Sequence, residues 1–150
     1  MEDRIIKVLN GVRLVTLVMA TVAFLLSYAN LPEQVLVTLD DNGNPSMYLP
    51  KNLAFYSGMV AMVSINLVFY VLLNQLSKLT TRKSTIISYW MGGLISIINI
   101  FIAFGFSFIG ILNSRDNFDY SYFGAIVYVI GGVFALWLFG FMFHMQKAKD

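Results

Sequence analysis

The chain has no cysteine, one histidine and three prolines, and only 12% of its 150 residues are charged. Each scarcity excludes something. Without cysteine there is no disulfide framework and no thiolate metal site. One histidine, His144, falls short of the usual zinc ligand sets, so neither a metal nor any other cofactor is expected. Ordinary soluble domains carry about 25% charged residues. At half that share, the polar surface is too small to cover a water-exposed globule. What is abundant is hydrocarbon: 58% of the residues are hydrophobic. The matching solvent is a lipid bilayer, and the length suits one polytopic membrane domain over 1–150.

Four apolar runs emerge along the chain: Val8–Ala29, Leu53–Leu76, Ile86–Leu112 and Tyr120–Met145. Their uncharged stretches meet the ~18–20 residues that a helix needs to cross a hydrocarbon core of about 30 Å. In lipid the backbone must satisfy its own hydrogen bonds, so the runs read as helices. They are too long for barrel strands and lack polar alternation. Residues 1–29 also have the outline of a cleavable signal peptide, with a basic start, an apolar core from Leu14 to Leu26 and small residues at Ser27 and Ala29. The expectation is an uncleaved first helix; cleavage would leave three crossings.

Cations sort by loop. Arg4, Lys7 and Arg13 precede or enter the first run, Lys78, Arg82 and Lys83 separate the second and third, and Lys147 and Lys149 follow the fourth. The opposite side holds Lys51 and Arg115 among Glu33, Asp40, Asp41, Asp116 and Asp119. The positive-inside rule then puts both termini in the cytoplasm. The expected fold is all-α, four transmembrane helices, N-in and C-in, with the loop 30–52 outside. Short connections after the second and third helices make those neighbours antiparallel.

That outer loop, "LPEQVLVTLDDNGNPSMYLPK", is the most polar stretch of a greasy chain. Pro32 restrains its start and Pro50 its end. "VLVTL" is β-branched and apolar, "DDNGNP" is dense in turn formers, and "SMYL" follows. A β-hairpin reversing at Asn42-Gly43 is predicted. A lone hairpin is marginal in water, so it needs support from helix ends or a partner. Asp40, Asn42 and Asn44 have the spacing that opens a calcium loop. Pro45 stands where such a loop needs glycine, and no glutamate closes the site, so solvated turn side chains are the better reading.

Leu31-Pro32-Glu33, Val35, Val37, Gly43, Pro45, Tyr48 and Lys51 fall in ungapped register with a known pattern. The segment 20–50 resembles the bacterial membrane family of unknown function that forms the N-terminal domain of Sdp-type immunity proteins. Leu36 stands where that family often has proline and Thr38 where it often has histidine, which puts any role of that histidine in doubt here. The resemblance implies a bacterial cytoplasmic-membrane protein whose outer loop and helices engage another membrane component.

No chemistry-bearing set can be assembled within the runs. Their uncharged cores hold no ionisable group of the kind that transporters and proton relays use. Arg13 lies within reach of the inner interface and can snorkel. His144, near the inner end of the fourth helix, reads as an interfacial anchor more readily than as a titrating switch. It is across the membrane from most of the acids, so no serine–histidine–acid triad forms. The expectation is a non-enzyme.

Uncharged polar and small residues are more informative. Gly92, Ser96, Asn99, Ala103, Ser107 and Gly110 share one face of the third helix at steps of mostly three or four. Ser57, Ala61 and Ser64 do so on the second, and Gly124, Gly131 and Ala135 on the fourth. Small residues let helix backbones approach closely, either within one bundle or against another protein. Asn66 and Asn99 fall at mid-segment, where an unpaired amide costs several kcal/mol, roughly. Each is expected to meet a partner, either the other or a serine such as Ser64. Tyr48, Tyr56, Phe118, Tyr120 and Tyr122 at one level, with Tyr89 and Trp90 at the other, resemble two interfacial belts. The loop "SKLTTRKST" is basic enough to attract anionic lipid and too sparsely charged for nucleic acid.

Two uses follow. In the first, an accessory or immunity-like subunit binds a membrane protein or its own copies, through Val35, Val37, Thr38, Asn42, Gly43 and Tyr48 outside and Gly92, Ser96, Asn99 and Ala103 laterally. In the second, a small oligomeric transporter or channel has a polar path near Asn66 and Asn99.

Overall fold

The computed structural model describes residues 2–40, 44–79, 81–114 and 121–147. Helix α1 runs Glu2–Asn30, strands β1 and β2 run Gln34–Leu39 and Pro45–Pro50, and helices α2, α3 and α4 run Lys51–Ser77, Arg82–Leu112 and Ser121–Lys147. All four helices are long and apolar enough to cross a membrane. They exceed the apolar runs at several ends because hydrogen bonding continues into polar residues beyond the greasy core. At α3 the start is set by Thr81, whose side chain accepts the Ser84 N–H at 3.2 Å. The Ser84 hydroxyl in turn donates to the carbonyls of Leu79 and Thr81 at 2.8 and 2.7 Å. The connection between α2 and α3 is thereby drawn tight around one buried serine.

Helix α3 is the hub, packing against α1, α2 and α4. Its seam with α1 is the most extensive. Gly92 faces Leu9, and Gly110 faces Ser27 with only 3.1 Å from an added Cβ to the serine Oγ. Both pairs have the same sequence offset, so α1 and α3 run parallel, and the 18 residues between the contacts span about 27 Å. Against α4, Gly93 faces Trp137 while Trp90 faces Gly140 and His144. The order reverses, so α4 is antiparallel to α3. The start of α1, the end of α2, the start of α3 and the end of α4 therefore share one end of the molecule, and the hairpin lies at the other.

Among the described residues the buried apolar core is small: Ala20, Phe24, Val35, Leu36, Met62, Ile95 and Leu112. Much of the remaining apolar surface is exposed, including Leu14, Val63, Leu67, Leu136 and Phe139. That distribution suits lipid, which solvates such side chains as well as a protein interior does. Hydroxyls on the helices bond to their own backbone one turn back. Thr21 donates to the Leu17 carbonyl at 2.9 Å and Ser96 to that of Gly92 at 3.0 Å. No polar group on these residues then needs water.

Candidate functional site

The hairpin and its seating come first. Its strands pair antiparallel through Val35↔Leu49, Leu36↔Tyr48, Thr38↔Met47 and Leu39↔Pro45. Val37 on one strand and Ser46 on the other have no opposite residue, so a bulge on each strand twists the ribbon. Asp40 and Asn44 close the far end. The Asp40 N–H donates to the Asn44 carbonyl at 2.8 Å, and the Asn44 N–H and side-chain amide donate to the Asp40 carboxylate at 2.7 and 3.2 Å. The expected reversal at Asn42-Gly43 lies outside the described residues, as do Phe118 and Tyr120. The side chains of Tyr122 and Gly124 are likewise not described.

A clamp holds this ribbon to the helices. Asn113, the residue that ends α3, accepts the Leu36 N–H through Oδ1 at 2.8 Å, and its Nδ2 donates to the Leu36 carbonyl at 2.8 Å. The side chain imitates a neighbouring strand. The same Nδ2 donates to the Ile109 carbonyl at 2.8 Å, which fixes the rotamer. At the base, the Lys51 N–H donates to the Glu33 carbonyl at 2.9 Å, and the Lys51 ammonium sits 4.9 Å from the Tyr28 ring centre. Val35 is fully buried and Leu36 nearly so, beneath the ends of α2 and α3. Leu36 stands where proline is frequent in the resembled pattern. Here its N–H is in use, and proline has none to offer.

The free side of the ribbon is different in kind. Thr38 is exposed, as are Met47 and Tyr48, each with about half its surface open. Val37 is half-buried. Pro45 and Pro50 bracket β2 and blunt its outer edge against strand addition. What remains presented is a small face of side chains on a fixed backbone.

Below the hairpin, aromatic rings fill the junction of α1, α2 and α3. Phe24 stacks on Phe55 at 5.0 Å and meets Phe106 at 4.5 Å, and Tyr28 lies 4.3 Å from Phe55. Halfway down, Asn66 and Asn99 face each other. The Asn66 amide donates to Asn99 Oδ1 at 2.9 Å and Asn99 returns a bond to Asn66 Oδ1 at 3.2 Å. Asn66 also donates to the Met62 carbonyl at 3.0 Å. Asn99 has no exposed surface and Asn66 is half-buried, and the two amides satisfy each other. Ser64 is exposed on α2 and takes no part in it.

The small-residue face of α3 divides along its length. Gly92, Ser96 and Asn99 are buried within the chain itself, so none is available on an outer surface; Ala103 is half-buried. Farther along, Ser107 is exposed and Gly110 is half-buried. With Val18, Met19, Val22 and Ser27 they line an open groove of about 760 Å³ between α1 and α3 at the hairpin end. Toward the other end, Trp90, Trp137, Phe141 and His144 form a second aromatic cluster. His144 shares a 3.2 Å hydrogen-bond contact through Nδ1 with the Gly140 carbonyl of its own helix.

Asn113 is the residue that sequence reading missed. A polar residue just past an apolar run looks like an ordinary helix end; its partner lies 77 positions earlier. Among the described residues no group of three or more His, Cys, Asp or Glu is placed to hold a metal. Comparison with protein families, curated proteins and solved structures finds no match to this chain.

Proposed function

We propose that this chain is a non-enzymatic accessory or immunity-like subunit of the bacterial cytoplasmic membrane. Both termini lie in the cytoplasm, and the hairpin docks another membrane protein from outside. The observation that carries this reading is the clamped hairpin. Two hydrogen bonds with one asparagine, a buried valine and a stacked lysine hold a two-stranded ribbon that would be marginal alone. A rigid backbone lowers the ordering cost of association. The same ribbon leaves Thr38, Met47 and Tyr48 uncovered, and tyrosine and methionine are enriched at protein interfaces.

The lateral contact of this reading is the groove beside Ser107 and Gly110, at the hairpin end of the molecule. Gly92, Ser96 and Asn99 serve the internal seam instead. The orientation is motivated by the charges along the sequence: eight of the ten basic residues lie in or beside the segments before the first apolar run, between the second and third, and after the fourth. The alternative use, a polar path along Asn66 and Asn99, is weakened by the reciprocal pairing of the two amides, which satisfies both without a solute.

The test is co-purification in mild detergent at native expression. The wild-type chain is expected to bring down one specific membrane partner, and Tyr48→Asp together with Met47→Asp is expected to lose it while retaining the monomer's elution and helicity. Recovery of the chain alone, or equal capture by the variant, would remove the hairpin from the account.

A further inference from the structure

At the opposite end from the hairpin, α1, α2 and α3 enclose a cavity of about 300 Å³ that the partner-binding reading does not use. Its apolar wall includes Leu9, Leu73 and Leu76; its polar lining includes Asn10, Arg13, Asn74, Ser77, Thr85 and Ser88. Among the described residues, Arg13 is the one charged residue in that lining and no carboxylate lines it. Arg13 lies about 9 Å along α1 from Lys7 and directly precedes the uncharged run that begins at Leu14. Lys7 is exposed, whereas Arg13 is half-buried.

A half-buried cation at the edge of an apolar run needs an anion or a route to water, because bringing a charge out of water costs several kcal/mol, roughly. Among the described residues no acidic side chain forms an ion pair with Arg13. Arg13 is half-buried and lines a cleft between helices. Asn10, Asn74 and Ser88 add hydrogen-bond donors to the same lining. Thr85 and Ser88 belong to the first two turns of α3, where the helix dipole is positive. Lys78, Arg82 and Lys83 are exposed on the adjoining turn and raise the local positive potential. The cavity is thus cationic and donor-rich on one wall and apolar on the other. Free inorganic anions have no use for the apolar wall; a phosphate ester with acyl chains does.

We infer that this cavity is a binding site for the phosphate-bearing headgroup of an anionic phospholipid, with Arg13 pairing the phosphate and Leu73 and Leu76 accommodating the start of its acyl chains. The guanidinium fork matches two phosphate oxygens. The site sits at the depth of the glycerophosphate layer of whichever leaflet this end occupies. It does not depend on the hairpin's role.

The test uses the full-length protein in micelles, with dioleoylphosphatidylglycerol, dioleoylphosphatidylcholine and inorganic phosphate as separate probes, read by native mass spectrometry. One phosphatidylglycerol per chain is expected to be retained over phosphatidylcholine, and to persist in 0.5 M NaCl, where exposed charges are screened within about 3–4 Å. Arg13→Gln is expected to cut that selectivity on the order of tenfold. Ser88→Leu, which fills the cavity without touching the charge, is expected to lower occupancy similarly, and Lys147→Gln on α4 to leave it unchanged. Equal retention of the two lipids, or a loss in Arg13→Gln no larger than in Lys147→Gln, would overturn the site. Displacement of bound lipid by millimolar inorganic phosphate would overturn the lipid assignment in favour of a soluble phosphate. Elution volume and helicity of each variant separate loss of binding from loss of fold.

Discussion

The two seams that α3 makes with α1 and with α4 have similar sequence signatures and different structures. Both have small residues at helical spacing. Along α1, glycine brings backbones close: an added Cβ at Gly110 would lie 3.1 Å from Ser27 Oγ. Along α4, an added Cβ at Gly131 or Gly132 meets nothing within 4 Å, and one at Gly140 meets the Trp90 ring at 2.7 Å and no backbone. That seam is made by rings, with Trp90 5.5 Å from Trp137 and 5.9 Å from Phe141. The Trp137 indole N–H is buried there without a hydrogen-bond partner among the described residues. Small residues at helical spacing therefore permit close approach without causing it. What causes it is a complementary surface on the partner helix, and α1 offers Ser27 where α4 offers Trp137.

The comparison breaks most sharply by filling the glycines. Gly110→Leu is expected to cost about 3 kcal/mol in unfolding from mixed micelles, because Ser27 backbone and side chain stand in its way. Gly131→Leu is expected to fall within about 0.5 kcal/mol of wild type. Equal effects would mean that the two seams do not differ. Next in size, Asn113→Ala is expected to cost about 2 kcal/mol and to speed hydrogen exchange at the Leu36 amide by on the order of tenfold or more, since a buried N–H and carbonyl lose their partner together. Protection unchanged at Leu36 would show the clamp to be incidental. Asn99→Leu is expected to cost about 1 kcal/mol, as Asn66 keeps its bond to Met62 while losing two to Asn99. A double variant with Asn66→Leu should recover part of that. Smallest of all, Trp137→Phe is expected to be neutral or slightly stabilising, because it deletes an unsatisfied donor and keeps a ring. A loss above 1 kcal/mol would reveal a partner for that indole.

The four long apolar helices were legible because a bilayer would impose one length and one polarity on each of them. The amide pair was legible for a related reason: an asparagine at mid-depth has few places to go, so Asn66 and Asn99 nearly name each other. Strands flanking a turn-rich segment were readable from β-branching and proline placement. The clamp was not, since nothing local to Asn113 reports that Leu36 will lie beside it. The inward face of α3 was also illegible. Periodicity puts Gly92, Ser96 and Gly110 on one stripe but is silent on whether α1, α4 or lipid lies opposite. Such information resides in the pairing of distant segments, and helical spacing carries none of it.

The account rests on a hairpin held rigid from within and used from without, and both halves can be read in one crosslinking experiment. A photoreactive side chain placed at Tyr48, in the full-length chain in native membranes, should yield one discrete adduct with a second protein. The same probe combined with Asn113→Ala should lose most of that adduct, and a probe at lipid-facing Val129 should give none. A probe at Tyr48 that captures only lipid, or an adduct indifferent to Asn113→Ala, would contradict the account directly.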